Sequence, residues 1–135
     1  MALPVNINDL ITGKTVEWDR IEFKSGWNPE EVVHTICAFA NDINNWGGGY
    51  IVIGIEEEAG MPQLPPIGIH HNQVDKIQKE LLHLTHTIDP FYAPVTEPVE
   101  FQSKLIFFIL VIIISLMLQL GVISQKTFSS ILKVT

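Results

Sequence analysis

Between Val16 and Lys24 the side chains alternate. Val16, Trp18, Arg20, Glu22 and Lys24 fall on one face of an extended segment, and Glu17, Asp19, Ile21 and Phe23 on the other. A period of two predicts a strand, and the mixing of charge with bulk on each face predicts a bulge near Asp19. Ser25-Gly26-Trp27 turns the chain. The period then changes: Val32 or Val33, Ile36, Phe39 or Ala40, and Ile43 recur at helical spacing, which predicts a helix from Pro29 to about Asn44. Asn28 suits the N-cap, Pro29 the first helical position, and Glu30 and Glu31 the positive end of the dipole. Glu31 stands three residues after Asn28, the spacing of a capping box. Gly47, Gly48 and Gly49 permit a tight reversal. Tyr50 to Ile55 is almost continuously apolar and β-branched, the pattern of a central strand covered on both faces, and Glu56, Glu57 and Glu58 end it.

Shorter signals fill the remainder. Asn6 to Ile11 reads as a short helix capped by Asn6 or Asn8 and ended by Thr12-Gly13-Lys14. Ala59 to Gly68, with Pro62, Pro65 and Pro66, reads as a loop. Asn72 can cap a helix running to about Thr87, buried through Val74, Ile77, Leu81 and Leu84. Pro90, Pro94 and Pro98 break the next stretch. Val99 to Phe101 reads as a strand, with a turn at Gln102-Ser103. Leu105 to Ile123 then runs 19 residues without a charge. A membrane span needs about 20 mostly apolar residues, so a single-pass helix fits this length. One or two buried strands fit as well, because Ile106 to Ile114 is rich in β-branched and aromatic residues.

Composition sharpens the picture at that point. The chain has 135 residues, one domain's worth, and a net charge of −7. All 15 acidic residues precede residue 101, with five of the 8 basic ones, so that part sums to −10. The remainder carries Lys104, Lys126 and Lys133 and no acid. An acidic body argues against broad electrostatic binding of nucleic acid, which relies on a basic surface to release counterions. It leaves room for a small local basic patch or a carboxylate site that recruits a metal. Cys37 stands alone, so no internal disulfide forms, and its place on the apolar helix face reads as a buried thiol. Met1 to Asn6 has no basic stretch or long apolar run of a signal peptide, which makes a cytoplasmic body the expectation.

Several groups of residues carry candidate chemistry. Glu17, Glu22 and Glu56 are three carboxylates which, if brought together, can hold Mg or Mn, activate water and stabilise charge at a phosphodiester. Glu17 and Glu22 lie five apart, on opposite faces of a flat strand, so a bend is needed to join them; as solvated strand ends and salt-bridge partners the same residues have no chemistry to perform. Arg20 and Lys24 are the nearby cations for phosphate. Gly47, Gly48 and Gly49 expose backbone amides. They connect helix to strand, the reverse of a dinucleotide loop. Gly13-Lys14-Thr15 lacks the glycine five residues earlier that a phosphate loop requires, since Asn8 stands there. His70, His71, His83 and His86 have no cysteine or His-Glu-x-x-His pattern to complete a zinc site.

The residues Glu17-x-x-x-x-Glu22-Phe23-Lys24, Ala38-Phe39-Ala40-Asn41 and Gly47 to Glu56 together resemble the Schlafen-type AlbA-like domain of bacterial and archaeal transcriptional regulators, also called a divergent AAA domain. The likeness extends less firmly from Asn6 to about Phe101. It implies an α+β domain, a mixed β-sheet flanked by helices, over residues 1–110. It also implies binding of DNA or structured RNA through Arg20, Lys24, Asn41, Asn45 and Gly47 to Gly49, in a monomer or a homodimer. Animal Schlafen relatives include ribonucleases that cut structured RNA with three carboxylates. Glu17 and Glu22 match two of these, and Glu56 stands nearest the third, where the pattern has aspartate. The alternatives to a DNA-binding regulator are therefore a metal-dependent endoribonuclease using Glu17, Glu22 and Glu56, an ATP or nucleotide-binding module, and a membrane-tethered protein. The apolar tail, residues 111–135, departs from the polar sequence usual in the family and is expected to be a truncated or frame-shifted reading.

Overall fold

The structure is a computed structural model that describes residues 7–12, 21–41, 48–89, 92–111 and 133–134. The expected strand before residue 21, its bulge, the Gly13-Lys14-Thr15 segment and the tail from 112 to 132 lie outside the described residues. Among the described residues, three helices, α1 (Ile7–Thr12), α2 (Pro29–Asn41) and α3 (His71–Thr85), accompany eight strands. Four of these strands form the main sheet. They are β1 (Ile21–Lys24), β2 (Gly49–Ile53), β6 (Val95–Phe101) and β7 (Lys104–Val111), in the order β1-β2-β7-β6. β1 and β2 are parallel, joined through α2, and the other pairings are antiparallel. The fold is the α+β arrangement with a mixed sheet that the sequence predicts.

The sheet is apolar on both faces because β2 and β7 bury nearly every side chain. On one face Ile51, Ile53, Phe107, Ile109 and Val111 pack with Val32, Val33, Ile36 and Ala40 of α2 and Ile77 and Leu81 of α3. On the other, Val52, Phe23, Ile21, Ile106 and Phe108 pack with Leu10 and Ile11 of α1. Removing such a side chain, as in Ile→Ala or Phe→Ala, typically costs about 2–5 kcal/mol, so these positions fix the register. The first part of the apolar run is therefore a central strand: Lys104–Val111 lies between β2 and β6. Among the described residues no helix is long and apolar enough to cross a membrane.

Local details depart from the sequence expectations in physically clear ways. Pro98 sits inside β6, opposite Phe107, where a break was expected. β6 is an edge strand, and an edge tolerates a residue that lacks an N–H. The turn at Gln102-Ser103 is as expected, with φ of 49° and 66°, the backbone of a tight two-residue hairpin. The 59–68 region is not wholly loop. β3 (Glu56–Glu58) pairs antiparallel with β4 (Met61–Gln63) around Ala59-Gly60, so Glu56 opens a new strand instead of closing β2. Helix α3 begins at His71 and not after Asn72; the Gln73 side chain accepts the His70 N–H at 2.9 Å. The last strand, β8 (Lys133–Val134), pairs antiparallel with β5 (Ile88–Asp89).

Gly49 marks the closest approach of α2 to the sheet. A β-carbon there would lie 2.6 Å from the Phe39 ring, far inside contact distance. Gly49→Ala is expected to lose about 1–3 kcal/mol in urea unfolding. Combined with Phe39→Ala, the loss should fall below the sum of the two single changes, because both act on one contact. Burial pushes the Cys37 thiol up from its usual range. Its neutral form is favoured by the fold, so this contribution to stability is complete at neutral pH and is lost as pH rises from the ordinary thiol range through the raised value. Native protein should therefore react slowly with iodoacetamide at pH 7.5 and rapidly after denaturation.

Candidate functional site

The site is built from the carboxyl end of β1. On this edge strand Ile21 and Phe23 point into the α1 core, which leaves Glu22 and Lys24 on the α2 face, in register with Ile51 and Ile53. They close the open margin of that core with polar groups. Lys24 Nζ lies 3.3 Å from Glu22 Oε1 and 3.4 Å from Glu31 Oε2. The side chains of Lys24, Glu22 and Glu31 are 17%, 43% and 59% exposed. The long stem of Lys24 is thus largely covered and its ammonium sits between two carboxylates.

Glu31 reaches Lys24 because its side chain does not close the capping box that the sequence suggests. The Glu31 N–H donates to Asn28 Oδ1 at 3.4 Å, and the Val32 N–H donates to the Asn28 carbonyl at 3.1 Å. Asn28 caps the helix, and the Glu31 carboxylate is left to bridge α2 and β1.

The main chain of Lys24 has a second task. Its carbonyl accepts the N–H groups of Gly54, at 2.8 Å, and Ile55, at 3.2 Å. Gly54 has φ of 110°, and its carbonyl accepts the Gly68 N–H at 2.8 Å. A β-carbon on Gly54 would lie 3.2–3.3 Å from Ile106 and the Gly68 backbone. This bend keeps Ile55 buried and starts β3 beside the end of β1. A cleft of about 520 Å³ results, lined by Phe23, Lys24, Ser25, Glu56, Glu57, Glu58 and Gln63. Its charged lining residues are Glu56, Glu57, Glu58 and Lys24.

The candidate residues divide across the sheet. Lys24 and Glu56 line the cleft, and Glu22, which is not among the lining residues, is paired to Lys24. Gly48 and Gly49 lie at the opposite end of β2, about 13 Å away along the strand at 3.3 Å per residue, and Asn41 is the last residue of α2. The turn that brings Glu56 to β1 is made by Gly54 and not by the Gly47–Gly49 run. The sequence reading took Gly54 as an ordinary strand position; an isolated glycine inside a strand pattern was the available signal of a bend or close backbone approach. Glu17, Arg20, Asn45 and Gly47 lie outside the described residues. Among those described, no three His, Cys, Asp or Glu side chains converge to hold a metal, and the Glu22 carboxylate is occupied by Lys24. The histidines do not assemble either: His71 and His83 are separated along α3 by about 18 Å at 1.5 Å per residue.

A family profile described as Schlafen, AlbA_2 matches residues 17–126. The chain belongs to this family. The match takes in both segments that form the cleft. Among solved structures, the fold is similar to the N-terminal domain of a RecG-related protein from Nitrosomonas europaea. The identity is 24% and the TM-score 0.55, over 75% of this chain and 67% of that one. It is also similar to the DIP2311 protein from Corynebacterium diphtheriae. There the identity is 19% and the TM-score 0.50, over 78% of this chain, which spans about a fifth (21%) of that protein. No curated protein sequence matches the chain.

Gly54 gives the site its testable weak point. Gly54→Ala forces a β-carbon into a positive-φ position against Gly68. It should cost about 1–3 kcal/mol, measured by thermal unfolding, and should raise amide exchange at Ile55 and Gly68 more than at Phe107 in the sheet centre.

Proposed function

We propose that this Schlafen AlbA_2 domain binds nucleic acid, with DNA as the leading target and a regulatory protein as its setting. The observation that carries the reading is the family match across residues 17–126. The Nitrosomonas relative supports DNA in particular, since its name places it with ATP-dependent DNA helicases. The geometry contributes Lys24, a cation on the wall of a cleft at the carboxyl ends of the parallel pair β1 and β2. Glu56, Glu57 and Glu58 on the same wall oppose phosphate, so affinity rests on a few local contacts and not on a basic surface. Magnesium in solution should relieve that opposition.

Fluorescence anisotropy with a labelled duplex and a labelled RNA hairpin tests this. Binding should weaken as salt is raised. Lys24→Ala should lower the affinity for all sequences alike and reduce the slope of log K against log salt by about one. A flat salt dependence with both nucleic acids would overturn the reading.

A second reading, metal-dependent RNA cleavage, draws support from the shared cleft of Lys24 and Glu56 beside Glu22. Glu22, Glu56 and Glu17 would be the carboxylates for Mg or Mn, whose role would be to activate water at a phosphodiester. Incubation with structured RNA and manganese decides it. Absence of cutting, or cutting unaffected by Glu22→Gln, removes the enzyme reading and leaves binding in place.

A further inference from the structure

We infer that Glu31 is a positioning residue which holds the Lys24 ammonium in reserve and competes with nucleic-acid phosphate for it. This rests on the binding role proposed for Lys24 and adds a determinant that the Schlafen-like motif residues do not include. Lys24 Nζ is shared almost equally between Glu22, at 3.3 Å, and Glu31, at 3.4 Å. The two partners differ in exposure and in the element that carries them. Glu22 stands on β1, in register with Ile51, and its backbone is fixed by the sheet. Glu31 stands on the first turn of α2, and its side chain is the most exposed of the three. Glu31 is therefore the partner that can turn away when a phosphate arrives.

With both carboxylates in place the triad carries one net negative charge, and a phosphate approaching Lys24 meets repulsion. With Glu31 turned outward, Lys24 keeps one carboxylate to orient it and offers its remaining hydrogens to phosphate oxygens. An exposed ion pair of this kind is worth up to about 1 kcal/mol, which is about fivefold in affinity. The arrangement thus sets the strength of binding without deciding whether it occurs.

The test uses the full chain in five forms: wild type, Glu31→Gln, Glu30→Gln, Lys24→Ala, and Lys24→Ala with Glu31→Gln. Glu30 is the exposed neighbour, and removing it subtracts the same charge without touching Lys24. Glu31→Gln should tighten binding of a DNA duplex about two- to fivefold in low salt. Glu30→Gln should have a smaller effect. The gain from Glu31→Gln should disappear in the Lys24→Ala background. Equal gains from Glu30→Gln and Glu31→Gln, or a gain that survives Lys24→Ala, would overturn the inference in favour of a general charge effect. A second readout needs no nucleic acid. The rate of Lys24 acetylation by acetic anhydride, followed by peptide mass spectrometry, should rise in Glu31→Gln and not in Glu30→Gln; an unchanged rate would show that Glu31 does not hold Lys24. Failure of every variant to bind DNA or RNA, with the acetylation difference present, would overturn the nucleic-acid reading and the competition with it, while leaving the ion pair itself established.

Discussion

Strand β2 is bonded on both edges, to β1 and β7, and covered on both faces by apolar side chains. A chain leaving such a strand has unpaired amides and no water nearby, so its first peptide groups must find partners at once. Here they find the carbonyl of Lys24. The two N–H groups of Gly54 and Ile55 converge on it, and the positive φ of Gly54 turns the chain out of the sheet. The acidic hairpin, the cleft and the nearness of Glu56 to β1 all follow from that pair of bonds. No side chain interaction is needed to create them.

Lys24 consequently joins scaffold and surface. Its main chain ends the parallel pair, and its side chain is drawn between Glu22 and Glu31 at the margin of the α2 core. In the nucleic-acid role proposed above, a chain with net charge −7 must ration its cations, because each carboxylate near the ligand subtracts from the attraction. The ion pairs around Lys24 are exposed enough to be worth little for folding. Their significance is in how readily the ammonium can change partner.

The fold was largely legible because its strongest signals are local. The helical stripe of α2, the doubly buried run of β2 and the tight turn at Gln102-Ser103 are each set by residues close in sequence. The apolar run after Lys104 was ambiguous for the opposite reason: its hydrophobicity suits lipid or a sheet interior equally, and the choice depends on whether β2 and β6 are available as neighbours. Pro98 misled for a similar reason, since whether a proline breaks a strand depends on its being central or at an edge. The site was legible only in part. Glu22, Lys24 and Glu56 were found by residue type. Gly54 was overlooked because it looked like one more position in an apolar strand, and Glu31 because its spacing from Asn28 matched a cap.

The sequence by itself determined which segments are apolar on one face or two, and hence the helices and the central strand, since burial acts on each segment's own pattern; the α+β class followed from the family resemblance of its motifs. It also fixed the chemical inventory: many carboxylates, few cations, one thiol. Which charges face one another was decided by tertiary structure alone. Glu22 and Lys24 come from β1, Glu31 from α2 and Glu56 from β3, and their placement follows from strand register, from the hydrogen bonds accepted by one carbonyl, and from the position of Glu31 on the first turn of its helix. Those are relations between segments, and no single segment encodes them.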